Sequence, residues 1–215
     1  MALDRTIVTA VALELLDEVG LEGLTLRQLA ARLKVKAPAI YWHFKNKQDL
    51  IDEMASSVFR NGVRQIIPTP GMKWDRWAIA YGTGLRRILL LHRDGAKMIS
   101  GTRLTDNSLY EPMEMALRKF VDAGFSTYFA VVALSTIYSY VVGFVIEEQA
   151  VHRFHGERIE SYEPQQRALR IGTDRLPLAL KAGDYLFSNF DRRFKDGLKL
   201  VVKGIAIRRG SEAGT

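Results

Sequence analysis

The sequence predicts an all-α protein, with an N-terminal three-helix domain of the helix-turn-helix type and a larger C-terminal helical domain. Apolar residues recur at intervals of three and four along most of the chain, which is the period of a helical face. Glycine, proline and capping residues separate these segments, and no segment alternates apolar and polar residues for long enough to predict a strand. We expect the first domain at residues 1–48, a connecting helix at 49–66 and the second domain at 67–215.

The helices of the N-terminal part are defined by their ends. A helix predicted over residues 4–19 ends at Gly20, which fits a glycine C-cap. Thr25, three residues before a glutamine, is expected to cap a short second helix. Pro38 fits the first turn of a short third helix, because that position needs no backbone donor. Asn46 is expected to cap a fourth helix.

Further periodic segments predict the helices of the C-terminal part. Amphipathic segments lie at about 74–89 and 110–121. Ser126 is expected to cap a long apolar helix. Residues 153–177 are polar and contain prolines, so they predict a loop, and a last helix is expected from about Gly183.

The long apolar segment raises the question of a membrane span. Residues 128–146 form an uncharged run of nineteen residues, which is long enough to cross a bilayer. Ser135, Thr136 and Ser139 would then lie at mid-depth, and no basic cluster flanks the run. We therefore expect a helix buried in a soluble bundle or at a subunit interface, and no membrane partner.

Composition limits the compartment and the partners. The chain has 215 residues and no cysteine, which excludes disulfides, thiolate metal sites and a cysteine nucleophile. The N-terminus lacks the order of a signal peptide, so we expect a cytoplasmic protein. The formal net charge of +7 favours an anionic partner, with nucleic acid ahead of a membrane surface.

The positive charge is concentrated in one stretch. Between Gly23 and Gln48 there are six basic residues and no acidic one. Two short helices joined by a tight turn form a helix-turn-helix, whose second short helix enters the major groove. The alternative is a solvated basic face over core aromatic residues, but such a face normally mixes charge signs, so the pattern favours double-stranded DNA. Trp42 is expected to lie between the core and the DNA backbone. The expected DNA-binding residues are Arg27, Lys36, Ala37, Pro38, Ala39, Tyr41, Trp42, His43, Lys45 and Lys47.

Residues 12–55 resemble the DNA-binding domain of the TetR family of transcriptional repressors, and "YWHFKNKQDLI" at 41–51 is among the most specific signatures of that family. The stretches "LHRDGAKMISGTR" at 91–103, "DAGFS" at 122–126 and "GFVIEEQ" at 143–149 resemble the tetracycline-binding members. The similarity covers roughly residues 3–150.

The resemblance implies a homodimer that binds a palindromic DNA operator and is released by a small-molecule effector. Helices at about 126–152 and 184–207 would form the dimer interface, with a ligand pocket among the helices between. The glutamine and threonine that read bases in tetracycline-binding members are replaced by Ala37 and Ala39, so the operator sequence should differ.

The pocket residues implied by the resemblance depart from the tetracycline site. Ile99 replaces the histidine that ligates magnesium there, and it cannot coordinate a cation. We expect a small, largely apolar effector. Arg103 could bind a carboxylate of the ligand or pair with Asp106 or Glu147. The expected ligand-binding residues are Val63, Trp77, Tyr81, Leu85, Ile99, Arg103, Met113, Ala116, Leu117 and Tyr138.

Two other classes of function fit the sequence less well. A helical enzyme would need an activated nucleophile or an acid-base pair, and the sequence shows neither. A DNA-binding protein without a ligand would not need so long an apolar-rich C-terminal part. Glu148, His152 and His155 form a weak candidate metal site, but histidines beside a loop are common, and we expect no metal and no cofactor.

Overall fold

The computed structural model of the chain describes residues 3–103, 107–152, 156, 158–171 and 176–212. Across these ranges the protein is helical, with three short 3₁₀ turns and no strand. The predicted all-α fold is confirmed. The helices are α1 (Arg5–Gly23), α2 (Leu26–Arg32), α3 (Ala37–Tyr41), α4 (Lys47–Gly62), α5 (Trp74–Leu89), α6 (Gly95–Ile99), α7 (Tyr110–Val121), α8 (Thr127–Val151), α9 (Pro164–Ile171), α10 (Pro177–Leu186) and α11 (Phe190–Glu212).

The predicted break in α1 at Gly20 and the predicted cap of α2 at Thr25 are confirmed, although one further helical turn extends α1 to Gly23. Gly20 adopts φ 74°, which breaks the helix, and its carbonyl accepts a hydrogen bond from the Leu24 N–H at 3.1 Å. The Thr25 hydroxyl caps α2 by accepting from the Gln28 N–H at 3.2 Å. Lys34, with φ 55°, makes the tight turn into α3.

The start of α4 is also as predicted. The Asn46 side chain accepts from the Asp49 N–H at 2.9 Å, and the Asp49 carboxylate accepts from the Lys45 N–H at 2.9 Å. The arrangement resembles a capping box, except that Asp49 accepts from the residue before the N-cap. A 3₁₀ turn, Val63–Gln65, extends α4 into the segment that leads to α5.

The C-terminal part is built on α8, which contacts α5, α7 and α11. By length and composition alone α8 could cross a bilayer. Ile137, Val141 and Val145 are instead fully buried among neighbouring helices. The glycines at the crossings allow close packing, since a Cβ at Gly197 would lie 2.3 Å from the Tyr140 hydroxyl.

The region before α11 differs from the prediction. The predicted loop at 153–177 contains α9, and the single helix expected from Gly183 is instead two, α10 and α11, separated at Asn189, which has φ 51°. The cause is a tertiary contact. Arg167 of α9 is 5% exposed, donates to the Leu180 carbonyl at 2.9 Å and stacks on Phe187 of the following turn, which stabilises a helix too polar to be recognised alone.

Candidate nucleic-acid interface and ligand cavity

Two buried side chains hold α3 on the N-terminal domain and leave its outer face free. Ile40 and Phe44 are fully buried, whereas Tyr41 is 56% exposed and Trp42 is 88% exposed. The expectation that Trp42 lies partly in the core is therefore wrong, because Ile40 and Phe44 already fill the core beneath it. Of the expected DNA-binding residues, Arg27, Lys36, Pro38, Tyr41, Trp42 and Lys45 are exposed, and Ala37, Ala39, His43 and Lys47 are half-buried.

The cations of this face are mostly unpaired. Within the described part of the chain, Arg27, Lys36 and Lys45 have no salt bridge. Arg32 differs, because its guanidinium pairs with Glu18 with one contact at 2.9 Å, and this hydrogen bond lowers the pKa of the Glu18 carboxyl. The face around α3 thus keeps a local positive potential that can attract phosphates.

Lys47 has a structural contact as well as a place on this face. Its Nζ donates to the Leu21 carbonyl at 2.7 Å and thereby joins the start of α4 to the end of α1. Basic residues near the last turn of a helix commonly satisfy its free carbonyls.

Arg5 is a residue of this site that sequence reasoning missed. Its guanidinium lies 4.3 Å from the centre of the Phe44 ring, donates to the His43 carbonyl and pairs with Glu53 at 3.5 Å. Arg5 therefore positions the segment between α3 and α4. The only signal in the sequence is a lone cation in an otherwise acidic first helix.

A cavity of about 380 Å³ opens in the C-terminal part between α4, α5, α7 and α8. Apolar side chains form almost all of its surface. It is lined by Phe59, Val63, Ile66, Ile67, Trp77, Tyr81, Leu109, Pro112, Met113, Ala116, Leu117, Val131, Leu134, Ser135 and Tyr138.

Seven of the ten expected ligand-binding residues line this cavity, and three do not. Leu85 is fully buried in the core below the cavity, and Ile99 in α6 is 2% exposed. Arg103 is exposed, and its backbone N–H donates to the Asp52 carboxylate at 3.3 Å. These three residues do not line the cavity in this structure, because Leu85 and Ile99 are buried in packed core and Arg103 lies on the surface. Asp106, one of the ion-pair partners considered for Arg103, lies outside the described residues.

The missed lining residues lie on the same helical faces as the expected residues Tyr138 and Val63. On α8, Val131, Leu134, Ser135 and Tyr138 share one face at intervals of three and four. The same spacing relates Phe59 to Val63 at the end of α4. Only the packing between helices shows that these faces meet.

Two phenolic hydroxyls are the free polar groups of the cavity. The Trp77 indole N–H is already used, since it donates to the Ile66 carbonyl at 3.0 Å. Among the described residues, neither Tyr81 nor Tyr138 has a hydrogen-bond partner for its hydroxyl. Burial, and then the neighbouring Tyr138, raise the pKa of Tyr81. Burial also raises the pKa of Tyr138. Both groups are therefore neutral at pH 7 and available to a ligand.

The residues of the candidate metal site that the structure describes make other contacts. Glu148 pairs with Arg86 at 2.6 and 2.8 Å, and the His152 ring packs against Phe190 at 5.3 Å. His155 lies outside the described residues. In the ranges that the structure describes, no group of three histidine or acidic side chains could hold a metal ion.

A hydrogen-bonded joint connects the N-terminal domain to the rest of the molecule. Asp17 of α1 accepts from the Arg93 N–H at 2.8 Å and contacts the His92 ring at 3.0 Å. Asp94 accepts from the Leu21 N–H at 3.0 Å. From the other side, Gln149 of α8 donates to the His92 carbonyl at 2.9 Å. The turn at 92–94 thus links α8 to α1.

Comparison with known proteins covers both parts of the chain. A sequence profile described as "Tetracyclin repressor-like, C-terminal domain" matches residues 67–209, and one described as "Bacterial regulatory proteins, tetR family" matches residues 8–54. The chain is 39% identical over 207 residues to the tetracycline repressor protein class A from transposon 1721 of Escherichia coli, covering 95% of this chain and 91% of that protein.

Solved structures agree along nearly the whole chain. A possible TetR family transcriptional regulator from Streptomyces coelicolor A3(2) superimposes with a TM-score of 0.83 at 29% identity, over 95% of this chain and 99% of that one. TetR-Q116A from Acinetobacter baumannii AYE, in complex with minocycline, gives a TM-score of 0.76 at 34% identity, over 97% and 99% of the two chains. From its sequence, its helical fold and these relatives, the chain belongs to the TetR family of bacterial transcriptional regulators.

Proposed function

We propose that the protein is a ligand-responsive repressor whose homodimer binds a palindromic operator and is released by a small, largely apolar effector. The observation that carries this proposal is that α4 reaches both sites. Leu50 and Met54 are buried in the core of the N-terminal domain, while Phe59 and the following Val63 line the cavity. At about 1.5 Å per residue, the sixteen residues of α4 span about 24 Å.

The N-terminal domain supplies the contacts to DNA. With α3 in the major groove, Ala37, Pro38 and Ala39 present small apolar groups to the bases, because they form its leading end. Lys36 and Lys45 contact phosphates, which gives affinity without sequence information.

The outer faces of α8 and α11 support a homodimer. Thr136, Ser139 and Gly143 are exposed at intervals of three and four residues along α8 and do not line the cavity. A Cβ at Gly143 would meet no atom within 4 Å. On α11, Leu200 and Ile207 are 71% and 77% exposed. A second copy packed on these faces removes this apolar surface from water.

Coupling between the two sites follows from the rigidity of α4. A ligand that fills the cavity presses on Phe59 and Val63 and tilts α4, while the joint at 92–94 transmits movement of α8 to α1. Half-sites on DNA lie about 34–36 Å apart, so a change in the separation of the two α3 helices weakens binding. A ligand that prefers the non-binding state by a few kcal/mol is enough to release DNA.

The two rival functions are less well supported. A catalytic cavity would be expected to present a histidine, a carboxylate or an amine, and the described lining of this cavity contains none of them. A DNA-binding protein without a ligand has no need for a cavity that touches α4.

The test uses operator DNA selected from a random duplex pool with the purified full-length protein. We expect a twofold-symmetric sequence bound by a dimer, measured by gel shift and sedimentation. Gly143→Leu should yield monomers with strongly weakened operator binding, whereas Gly143→Ala should have a smaller effect because its methyl group is small. A wild-type monomer without measurable affinity for any duplex at low salt would refute the proposal.

A further inference from the structure

The two free hydroxyls of the cavity identify the chemistry of its ligand. Resting on the proposed function, we propose that the effector is a neutral, flat aromatic molecule with a carbonyl oxygen that accepts hydrogen bonds from both Tyr81 and Tyr138. These two side chains project from α5 and α8, which are packed against each other. Their hydroxyls lack protein partners among the described residues, and since no described side-chain polar atom is both buried and unpaired, they open onto the cavity, where a ligand can accept from them.

The ligand is neutral because the cavity offers nothing to balance a charge. The described lining contains no lysine, arginine, histidine, aspartate or glutamate. Arg103, the cation that could have received a carboxylate, is exposed elsewhere. An ion moved from water into such surroundings loses its hydration without gaining a partner.

The walls of the cavity favour a flat aromatic shape. The rings of Trp77 and Tyr81 lie 5.3 Å apart and are inclined by 35°, so they form a continuous aromatic surface on α5. Aliphatic side chains such as Val63, Ile67 and Leu117 provide apolar packing around the ring system. The volume of about 380 Å³ lies near the lower end of the range for small-molecule sites, about 300–1,000 Å³, which favours a compact ligand.

A carbonyl oxygen suits two hydroxyl donors. It has two lone pairs and carries no proton of its own, so it accepts from Tyr81 and Tyr138 together. A hydrocarbon of the same shape would leave both hydroxyls dry and unpaired. Two neutral hydrogen bonds correspond to a preference of about 5- to 150-fold for the carbonyl compound.

The mouth of the cavity lies between α7 and α8. Met113 and Val131 are 47% and 48% exposed there, and the Ser135 hydroxyl donates to the Val132 carbonyl at 3.1 Å. Met113 is unbranched and adaptable, which suits a side chain that yields to an entering ring.

The experiment compares 9-fluorenone with fluorene, which share one shape and differ by the carbonyl oxygen. Binding is followed by quenching of tryptophan fluorescence in a Trp42→Phe variant, which removes the exposed indole and retains Trp77 at the cavity. Fluorenone should bind about 5- to 150-fold more tightly than fluorene. The anion fluorene-9-carboxylate should bind more weakly than either.

The variants distinguish the contribution of the two hydroxyls to ligand affinity from the contribution of the shape of the cavity. Tyr81→Phe/Tyr138→Phe should bring the two neutral probes within about 2-fold of each other while leaving fluorene affinity nearly unchanged, because only the hydrogen bonds are lost. Tyr185→Phe is the matched control, since Tyr185 is 61% exposed on α10 and lies outside the cavity.

The inference is overturned if fluorene binds as tightly as fluorenone, if neither binds, or if the double variant keeps the preference. Operator binding by the wild-type dimer, measured by gel shift, tests the proposed function independently of these results. Fluorenone binding that does not change operator affinity would instead count against ligand control of DNA binding and support the cavity chemistry.

Discussion

Removing two phosphate-binding lysines should change the salt dependence of operator binding by a predictable amount. Lys36 and Lys45 flank α3, are exposed and have no salt bridge among the described residues. In a dimer, Lys36→Ala/Lys45→Ala removes two contacts from each subunit, or four in total. At about 0.9 per phosphate, the slope of log affinity against log salt should fall by about 3.6. Between 50 and 200 mM salt, the wild-type protein should therefore lose roughly 150-fold more affinity than the variant.

Fluorescence anisotropy of a labelled operator over a salt series measures this slope directly. The matched control is Lys73→Ala/Arg76→Ala, which removes the same charge from exposed positions at the start of α5, remote from α3. The control should leave the slope within about one unit of wild type. The order of preference among operator sequences should persist in both variants, because phosphate contacts carry no base information. A slope change below about one unit, or an equal change in the control, would refute the proposed docking of α3.

Three further outcomes follow from contacts inside the protein. Arg86→Ala should lower the free energy of unfolding by about 1.5–3 kcal/mol in urea titrations, because the half-buried carboxylate of Glu148 loses its charged hydrogen-bond partner, whereas Arg86→Met/Glu148→Leu should lose less. Burial raises the pKa of Tyr81, so its neutral form contributes its full stability below the ordinary tyrosine pKa of about 10. This contribution is lost as pH rises from there through the folded pKa. Tyr81→Phe should lack this alkaline loss when free energies of unfolding are compared from pH 8 to 11. Asp17→Asn weakens the contacts to His92 and the Arg93 backbone, and should reduce the effect of a cavity ligand on operator affinity by about 2- to 30-fold, measured as the ratio of affinities with and without ligand.

The elements that the sequence predicted well are those with local causes. The glycine break at Gly20 and the caps at Thr25, Asn46 and Ser126 each depend on atoms within four residues. Capping and left-handed glycine conformations are encoded over such short distances, so a single stretch of sequence is sufficient to find them.

The failures have causes that are distant in the chain. α9 is stabilised by the contact of Arg167 with α10. Which residues line the cavity depends on how four helices pack together. Leu85 and Tyr81 are four residues apart on α5, yet only Tyr81 lines the cavity. Helical periodicity shows which face is buried, but it does not show whether that face meets a cavity or a packed core. Trp42 is exposed because Ile40 and Phe44 fill the core beneath α3, which the hydrophobicity of Trp42 alone does not show.

The position of two glycines explains why a ligand would move α4 rather than bend it. A Cβ at Gly62 would lie 2.7 Å from Ile88, and one at Gly84 would lie 2.6 Å from Ile66, so the end of α4 and the turn after it lie directly against α5. From Lys47 to Asn61 the helix contains neither glycine nor proline, so it has no site at which helices usually kink. A ligand inserted between α4 and α5 must act at this close contact. Because α4 is continuous from there to Lys47, a small shift at the cavity becomes a larger displacement of α3, which is why one helix can serve both sites.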